Sequence, residues 1–230
     1  MAAFKDLCLD AADPLAVGTF WARALSGRLV EQGGGDTVVR PGDAPFPLHT
    51  LWVNRVPEPR TGKNRVHLDV YARTEDLLEL GATLLADHGR WQVLGDPEGN
   101  ELCAFPRPDA VTPIDAPAQV FAVCVDSATP VELAAWWQAR LGGELVPGRP
   151  DGRLRWLDGA AGLGAVSFKA VQVDDPRLVK NRCHWDVTGQ VAEFTAAGAR
   201  VVARHRDWTV LADPDGNEFC VFAPAQSAGP

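Results

Sequence analysis

No apolar run in the chain approaches the length of a bilayer-spanning helix. The opening stretch MAAFKDLCLD also lacks the long apolar core of a signal peptide, and a cytoplasmic protein is the expectation. Clustered cationic groups are missing too. With a formal net charge of −8 and a pI near 5.1, the chain offers no footprint for a phosphate backbone, so neither nucleic acid nor membrane is an expected partner. Five cysteines, an odd count with no close CxxC pair, fit reduced thiols better than a disulfide framework. GxGxxG and GxxxxGK[ST] patterns are absent, which removes the usual nucleotide loops. Tyrosine occurs once against eight tryptophans, so indole carries much of the aromatic surface.

What is present is a repeat. WQVLGDPEGNELCAF begins at Trp91 and WTVLADPDGNEFCVF at Trp208; KNRVHLDV and KNRCHWDV place His67 and His184 at the same separation of 117 residues. CLDAADP from Cys8 matches CVDSATP from Cys124, and Trp21 matches Trp137, both 116 residues apart. A fixed period of this length means duplicated structure. The boundaries read as a first domain over 1–108, a proline-rich linker over 109–117, a second domain over 118–224 and a frayed tail over 225–230. With 46% hydrophobic and 23% charged residues, the chain can build two modest cores.

Each copy reads as two βαβββ modules. Asp13 before Pro14 is the signature of an N-cap and first helical turn, and the apolar periodicity runs to Gly27. Strands are predicted around Phe4–Leu9, Leu29, Val38 and Leu51–Val56. The second module opens with the strand RVHLDVYA, takes Thr74 as a plausible N-cap, and ends with strands at 83–86, 91–94 and 101–105. Gly81 and Gly198 read as helix C-terminal glycines. DPEGN and DPDGN supply hairpin turns, and an EF-hand calcium loop fails because glycine comes at the fourth position, not the sixth.

This pattern of repeated modules, FW…LG after the first helix, KNRxHxD, and a DP(E/D)GN hairpin before the last strand, resembles the vicinal oxygen chelate superfamily, in its glyoxalase-like form. The resemblance implies an α+β fold of tandem domains, each with two paired βαβββ modules whose mixed sheets form an open cup, helices outside and ligand inside. It also implies a small-molecule function, since the superfamily includes glyoxalase I, extradiol dioxygenases, epimerases and metal-free drug-sequestering proteins.

Strand parity separates the faces. Leu68, Val70, Leu102 and Ala104 read as helix-packed; His67, Asp69, Glu101, Cys103 and Phe105 face the first cup, and His184, Asp186, Glu218, Cys220 and Phe222 the second. Trp52 reads as a cup-lining aromatic, with Lys169 as its repeat mate. The resemblance implies metal ligands at Asp6, His67 and Cys103 in the first domain, holding one divalent ion: zinc, nickel, manganese or iron. In the second domain the first-strand position falls on Ala122. His49 reads as packed against the helices. Cys103 and Cys220 are equally readable as small apolar fillers. Lys63, Asn64 and Arg65, with Lys180, Asn181 and Arg182, form either a carboxylate clamp or a loop that caps strand ends. Trp91 and Trp208 read as packing residues, and Trp21 and Trp137 as core.

Two functions follow as expectations. One is a glyoxalase-like lyase, isomerase or oxygenase acting on a small oxygenated or aromatic metabolite, with Glu101 or Asp69 as base and Trp52, Phe105, His184, Asp186 and Glu218 as ligand contacts. The other is a non-catalytic protein that sequesters a drug or metabolite. A third reading makes the second domain a silent scaffold. Whether the cups pair within one chain or across a homodimer stays open.

Overall fold

In a computed structural model, residues 1–40, 50–175 and 177–224 are described; His49 and the tail over 225–230 lie outside them. Four modules follow one another. The first is β1 (Ala3–Ala11), α1 (Pro14–Ala24), β2 (Arg28–Glu31), β3 (Thr37–Arg40) and β4 (Leu51–Arg55). The second is β5 (Val66–Ala72), α2 (Thr74–Glu79), β6 (Thr83–Asp87), β7 (Gln92–Gly95) and β8 (Glu101–Phe105). The third is β9 (Ala118–Ser127), α3 (Pro130–Leu141), β10 (Glu144–Pro147), β11 (Leu154–Asp158) and β12 (Ser167–Gln172). The fourth is β13 (Cys183–Thr188), α4 (Val191–Ala196), β14 (Arg200–Arg204), β15 (Trp208–Ala212) and β16 (Glu218–Phe222).

The α+β class and the two cups of paired modules are as expected, but the pairing crosses the repeat. One eight-stranded sheet runs β14-β15-β16-β13-β1-β4-β3-β2 and joins the first module to the fourth; the other runs β10-β11-β12-β9-β5-β8-β7-β6 and joins the second to the third. We call the curved sheets cup A and cup B respectively. The expectation that modules pair within each repeat is therefore corrected. The physical reason lies in the joins: β1 finds its antiparallel partner in β13, and β5 in β9, the strand that the linker delivers next. Each join carries a β-bulge with one extra residue, Lys5 in cup A and Phe121 in cup B. Both sheets are formed within one chain, and each draws on both repeats.

What holds the modules of one repeat together is the core between the sheets. Trp137 of α3 packs edge-on against Trp185 (5.2 Å between centroids) and Phe219 (4.9 Å) of cup A, and tilts against Phe168 (6.0 Å) of cup B. Asp13 caps α1 by accepting the Ala16 N–H at 3.1 Å, as its sequence position requires. Thr74, in contrast, is the first residue of α2 and not its cap; its hydroxyl bonds Gln92. In the DPEGN turn, Asp96 accepts the N–H groups of Glu98 (2.9 Å) and Asn100 (3.0 Å), while Gly99 takes a φ of 80°. Glu98 then reaches across to accept the N–H groups of Ala12 (3.1 Å) and Asp13 (2.5 Å), tying the second module to the start of α1.

Candidate functional site

Parity along the strands is as expected. Leu68, Val70, Leu102 and Ala104 are buried in the core, while His67, Glu101, Cys103 and Phe105 line a cavity of about 1620 Å³ in cup B. Apart from Lys63 in the loop before β5 and Val173 just after β12, the cavity's lining residues belong to the second module, the third module and the segment between them. One wall is aromatic. Phe121, the bulge residue, stacks on Tyr71 (4.1 Å) and meets Phe105 edge-on (5.3 Å), and Phe105 stacks on Trp91 (5.8 Å). Trp91 is therefore a lining residue, not only packing.

The floor is polar. Asp69 is fully buried, pairs through one oxygen with the Lys169 ammonium, and lies 3.4 Å from His67 Nε2 through the other. Cys103 Sγ is 3.5 Å from the same His67 nitrogen, and Cys124 stands opposite both His67 and Lys169 in the strand register. His67 Nδ1 is buried with no hydrogen-bond partner among the described residues. Lys169 sits over the rings of Trp156 (5.3 Å) and Phe105 (5.4 Å), which fix its ammonium against the floor. Burial works against charge at all three ionisable groups, and their neighbours outweigh it. Asp69 titrates below the usual carboxylate range, held there by His67 and Lys169, while His67 and Lys169 titrate above their ordinary values through Cys124 first and Asp69 next.

Cup A repeats the cluster with different neighbours. Cys8, His184 and Asp186 bring one donor atom each within 4.8 Å of one another, as His67, Asp69 and Cys124 do in cup B. Cys220 hydrogen-bonds Asp186, completing a Cys–Cys–His–Asp quartet that matches Cys103–Cys124–His67–Asp69. Where Lys169 stands in cup B, Trp52 stands opposite Cys8. Lys5 pairs with Asp6 and lies 4.6 Å from the Phe222 ring. Without an ion pair among the described residues, Asp186 is pushed up to about 6 by burial; the nearby Lys5 ammonium opposes this and Asp6 adds to it. Burial keeps His184 neutral, below its ordinary value.

The expected metal set of Asp6, His67 and Cys103 is not brought together: Asp6 and Trp52 belong to cup A, His67 and Cys103 to cup B. The donor chemistry still bears on a metal. In cup A the quartet has a neutral imidazole, two thiols and a carboxyl group without an ion pair among the described residues, which suit a thiophilic divalent ion. In cup B the carboxylate is already held by an ammonium. Glu101, expected as a base, is bound to Arg60 and accepts the Asn64 N–H at 3.0 Å. Glu218 repeats this with Arg177 and Asn181 (3.3 Å), so both glutamates pin the loop before their module. Lys63 pairs with Asp126 (2.6 Å) and Lys180 with Asp10 (2.5 Å), which makes the KNR segments strand-end ties.

Sequence reasoning missed the contributions of Cys8, Cys124 and Lys169. The cysteines were visible as repeat mates on the parity of Asp6 and Ala122. Lys169 was visible as the mate of Trp52, but its cup could not be known without the module pairing.

No curated protein matches the chain by sequence. Among solved structures, glyoxalase I from Zea mays has a TM-score of 0.64 at 12% identity, covering 97% of this chain and 92% of that one. The cppA protein from Streptococcus pneumoniae TIGR4 has a TM-score of 0.53 at 11% identity, covering 95% and 97%. At these identities the likeness is one of fold. The family model for the glyoxalase-like domain matches residues 6–105 and again 122–222, ending each time on the strand after the DP(E/D)GN turn, and the chain belongs to this glyoxalase-like family.

Proposed function

We propose that cup B binds a small aromatic metabolite carrying an acidic oxygen, a carboxylate or an ionised phenol or enol. The observation that carries this reading is an aromatic-walled cavity of about 1620 Å³ whose floor presents a fixed ammonium and a histidine. Phe105, Phe121 and Trp91 supply ring faces, and Lys169 supplies the charge that an acidic oxygen needs in a partly desolvated site. A purely apolar ligand would leave His67 Nδ1, which has no partner among the described residues, without compensation, and would not use the donor capacity that remains on the Asp69-bound Lys169 ammonium.

Turnover is the second reading, favoured by the His67–Asp69 pair. The carboxylate orients the imidazole, and the imidazole can give a proton to, or take one from, a carbon next to the ligand's acidic oxygen. That chemistry is of the lyase or isomerase kind. In cup A, Cys8, His184, Asp186 and Cys220 would hold a divalent metal such as zinc, which when bound would supply a Lewis acid or a structural tie.

The test is a screen of aromatic carboxylates, phenols and enols by quenching of tryptophan fluorescence, since Trp91 and Trp156 line the cavity. Each binder is then incubated with the protein and followed by NMR for turnover. Saturable binding that Lys169→Met abolishes supports the site. Binding without chemical change, unaltered in His67→Ala, makes it a sequestering protein. Binding unaffected by Lys169→Met sinks the reading.

A further inference from the structure

Cup B contains the same Cys–Cys–His–Asp quartet as cup A, yet it also contains Lys169. The donor atoms of His67, Asp69 and Cys124 lie within 4.8 Å of one another, and Cys103 Sγ is 3.5 Å from His67. Two sulfurs, an imidazole and a carboxylate form an ordinary zinc donor set. The lysine ammonium, only 13% exposed, is bound to that carboxylate and braced by two rings. A divalent ion placed among these donors would face an ammonium a few ångströms away. The repulsion between them would be several times that in water, because the site is largely buried.

We propose that Lys169 is the built-in cation of cup B: its ammonium stands in for the divalent metal that the Cys103–Cys124–His67–Asp69 quartet would otherwise hold, and removing it creates a metal site.

Two observations converge on this. First, the lysine is aimed at the group a metal would need most, the fully buried Asp69, and not at solvent. Second, cup A offers an internal control. At the matching register position it has Trp52, its lysine is shifted to the bulge and binds Asp6, and Asp186 is left without an ion pair among the described residues. Lysine and aromatic residue have exchanged places between the cups: Lys5 and Trp52 in one, Phe121 and Lys169 in the other.

The test uses full-length protein with His184→Ala, which removes a ligand from cup A and leaves cup B to be read alone. Cobalt(II) serves as the probe, because thiolate ligation gives a sulfur-to-cobalt charge-transfer band in the near ultraviolet. With Lys169 intact the protein is expected to show no such band. Lys169→Met added to His184→Ala should gain about one equivalent of thiolate-bound cobalt, lost again with Cys124→Ser. Lys169→Trp, the residue of the matching position in cup A, is a second route should methionine pack poorly; circular dichroism confirms folding of each. A charge-transfer band that appears with Lys169 in place and disappears with Cys124→Ser overturns the proposal without need of any lysine variant. So does a folded lysine variant that takes up no cobalt. No organic ligand is present, so the result is independent of the ligand screen.

Discussion

Lys169 and Trp52 occupy the same place in the two cups: Lys169 stands opposite Cys124 on the strand beside it, and Trp52 stands opposite Cys8. Two otherwise matching quartets are thereby given different electrostatics. The carboxylate of cup B is ionised and neutralised by its lysine, while that of cup A is buried without an ion pair of its own among the described residues, the nearby Lys5 being bound to Asp6. A duplicated fold has kept the same donors twice and changed what surrounds them. Function is expected to follow the surroundings.

The two aspartates should respond to pH with opposite sign. Asp186 keeps its proton in the folded protein up to about pH 6, whereas in the unfolded chain it loses it near 3.8. The folded state therefore binds more protons between those values, and this group's contribution to stability falls as pH rises through that window. In chelator-treated protein, Asp186→Asn is expected to stabilise by about 2 kcal/mol at pH 7 and by little at pH 4. Asp69 is held below its ordinary value, so its contribution is present at neutral pH and lost on acidification. Asp69→Asn leaves Lys169 buried without its partner and should cost about 3 kcal/mol at pH 7. Urea denaturation from pH 4 to 7 measures both. The same sign for the two substitutions at pH 7 would contradict the contrast between the cups.

Glu101 should behave as a structural residue. Bound to Arg60 and to the Asn64 N–H, it does in cup B what Glu218 does in cup A. Glu101→Gln and Glu218→Gln are each expected to lower stability by about 1.5–3 kcal/mol, the range for hydrogen bonds to charged groups. Ligand affinity in cup B should stay within a factor of about two, below 0.5 kcal/mol. Thermal melts and binding isotherms of the two variants give the comparison; a large loss of affinity or turnover in the first alone would return Glu101 to the reacting groups.

Much of this was legible in the sequence, and the limit is physical. Alternation along HLDV put Leu68 and Val70 in the core and His67 and Asp69 in the cup, because strand geometry leaves no other arrangement. The duplication gave four modules. It could not give their pairing, since β5 and β13 carry nearly the same sequence and either could meet β1 on local pattern alone. That choice is made by the joins between modules and by the Trp137 cluster between the sheets. Asp6 was assigned to the wrong cup for this reason, and Lys169, 100 residues after Asp69 and in neither the same repeat nor the same motif, was left out of the site.

The bulge residues should set which ring system each cup prefers. Phe121 adds a ring to the wall of cup B where cup A has the Lys5 ammonium. Removing the ring with Phe121→Ala forfeits its stacking on Tyr71 and its edge contact with Phe105, and the affinity for any aromatic ligand found in the screen should fall about tenfold, or 1.4 kcal/mol. Lys5→Ala should leave that affinity unchanged, because Lys5 belongs to the other sheet. Isothermal titration of both variants decides it; equal losses would place the ligand outside cup B.

Transplanting the lysine should silence cup A toward metal. If zinc binds Cys8, His184, Asp186 and Cys220, it should raise the melting temperature of the wild-type protein, as any ligand of the folded state does. Trp52→Lys puts an ammonium at the register position from which Lys169 reaches Asp69, now within reach of Asp186. The zinc-dependent rise should then vanish, as in His184→Ala. Unlike that variant, Trp52→Lys should also return Asp186 toward the ordinary carboxylate range, because the new cation opposes the burial that pushes it up to about 6. Melting curves with and without zinc, joined to a carboxylate titration by NMR, separate the lysine's effect from simple damage. A transplant that folds, lowers the Asp186 titration and still binds zinc would show that one ammonium is not enough to replace the ion.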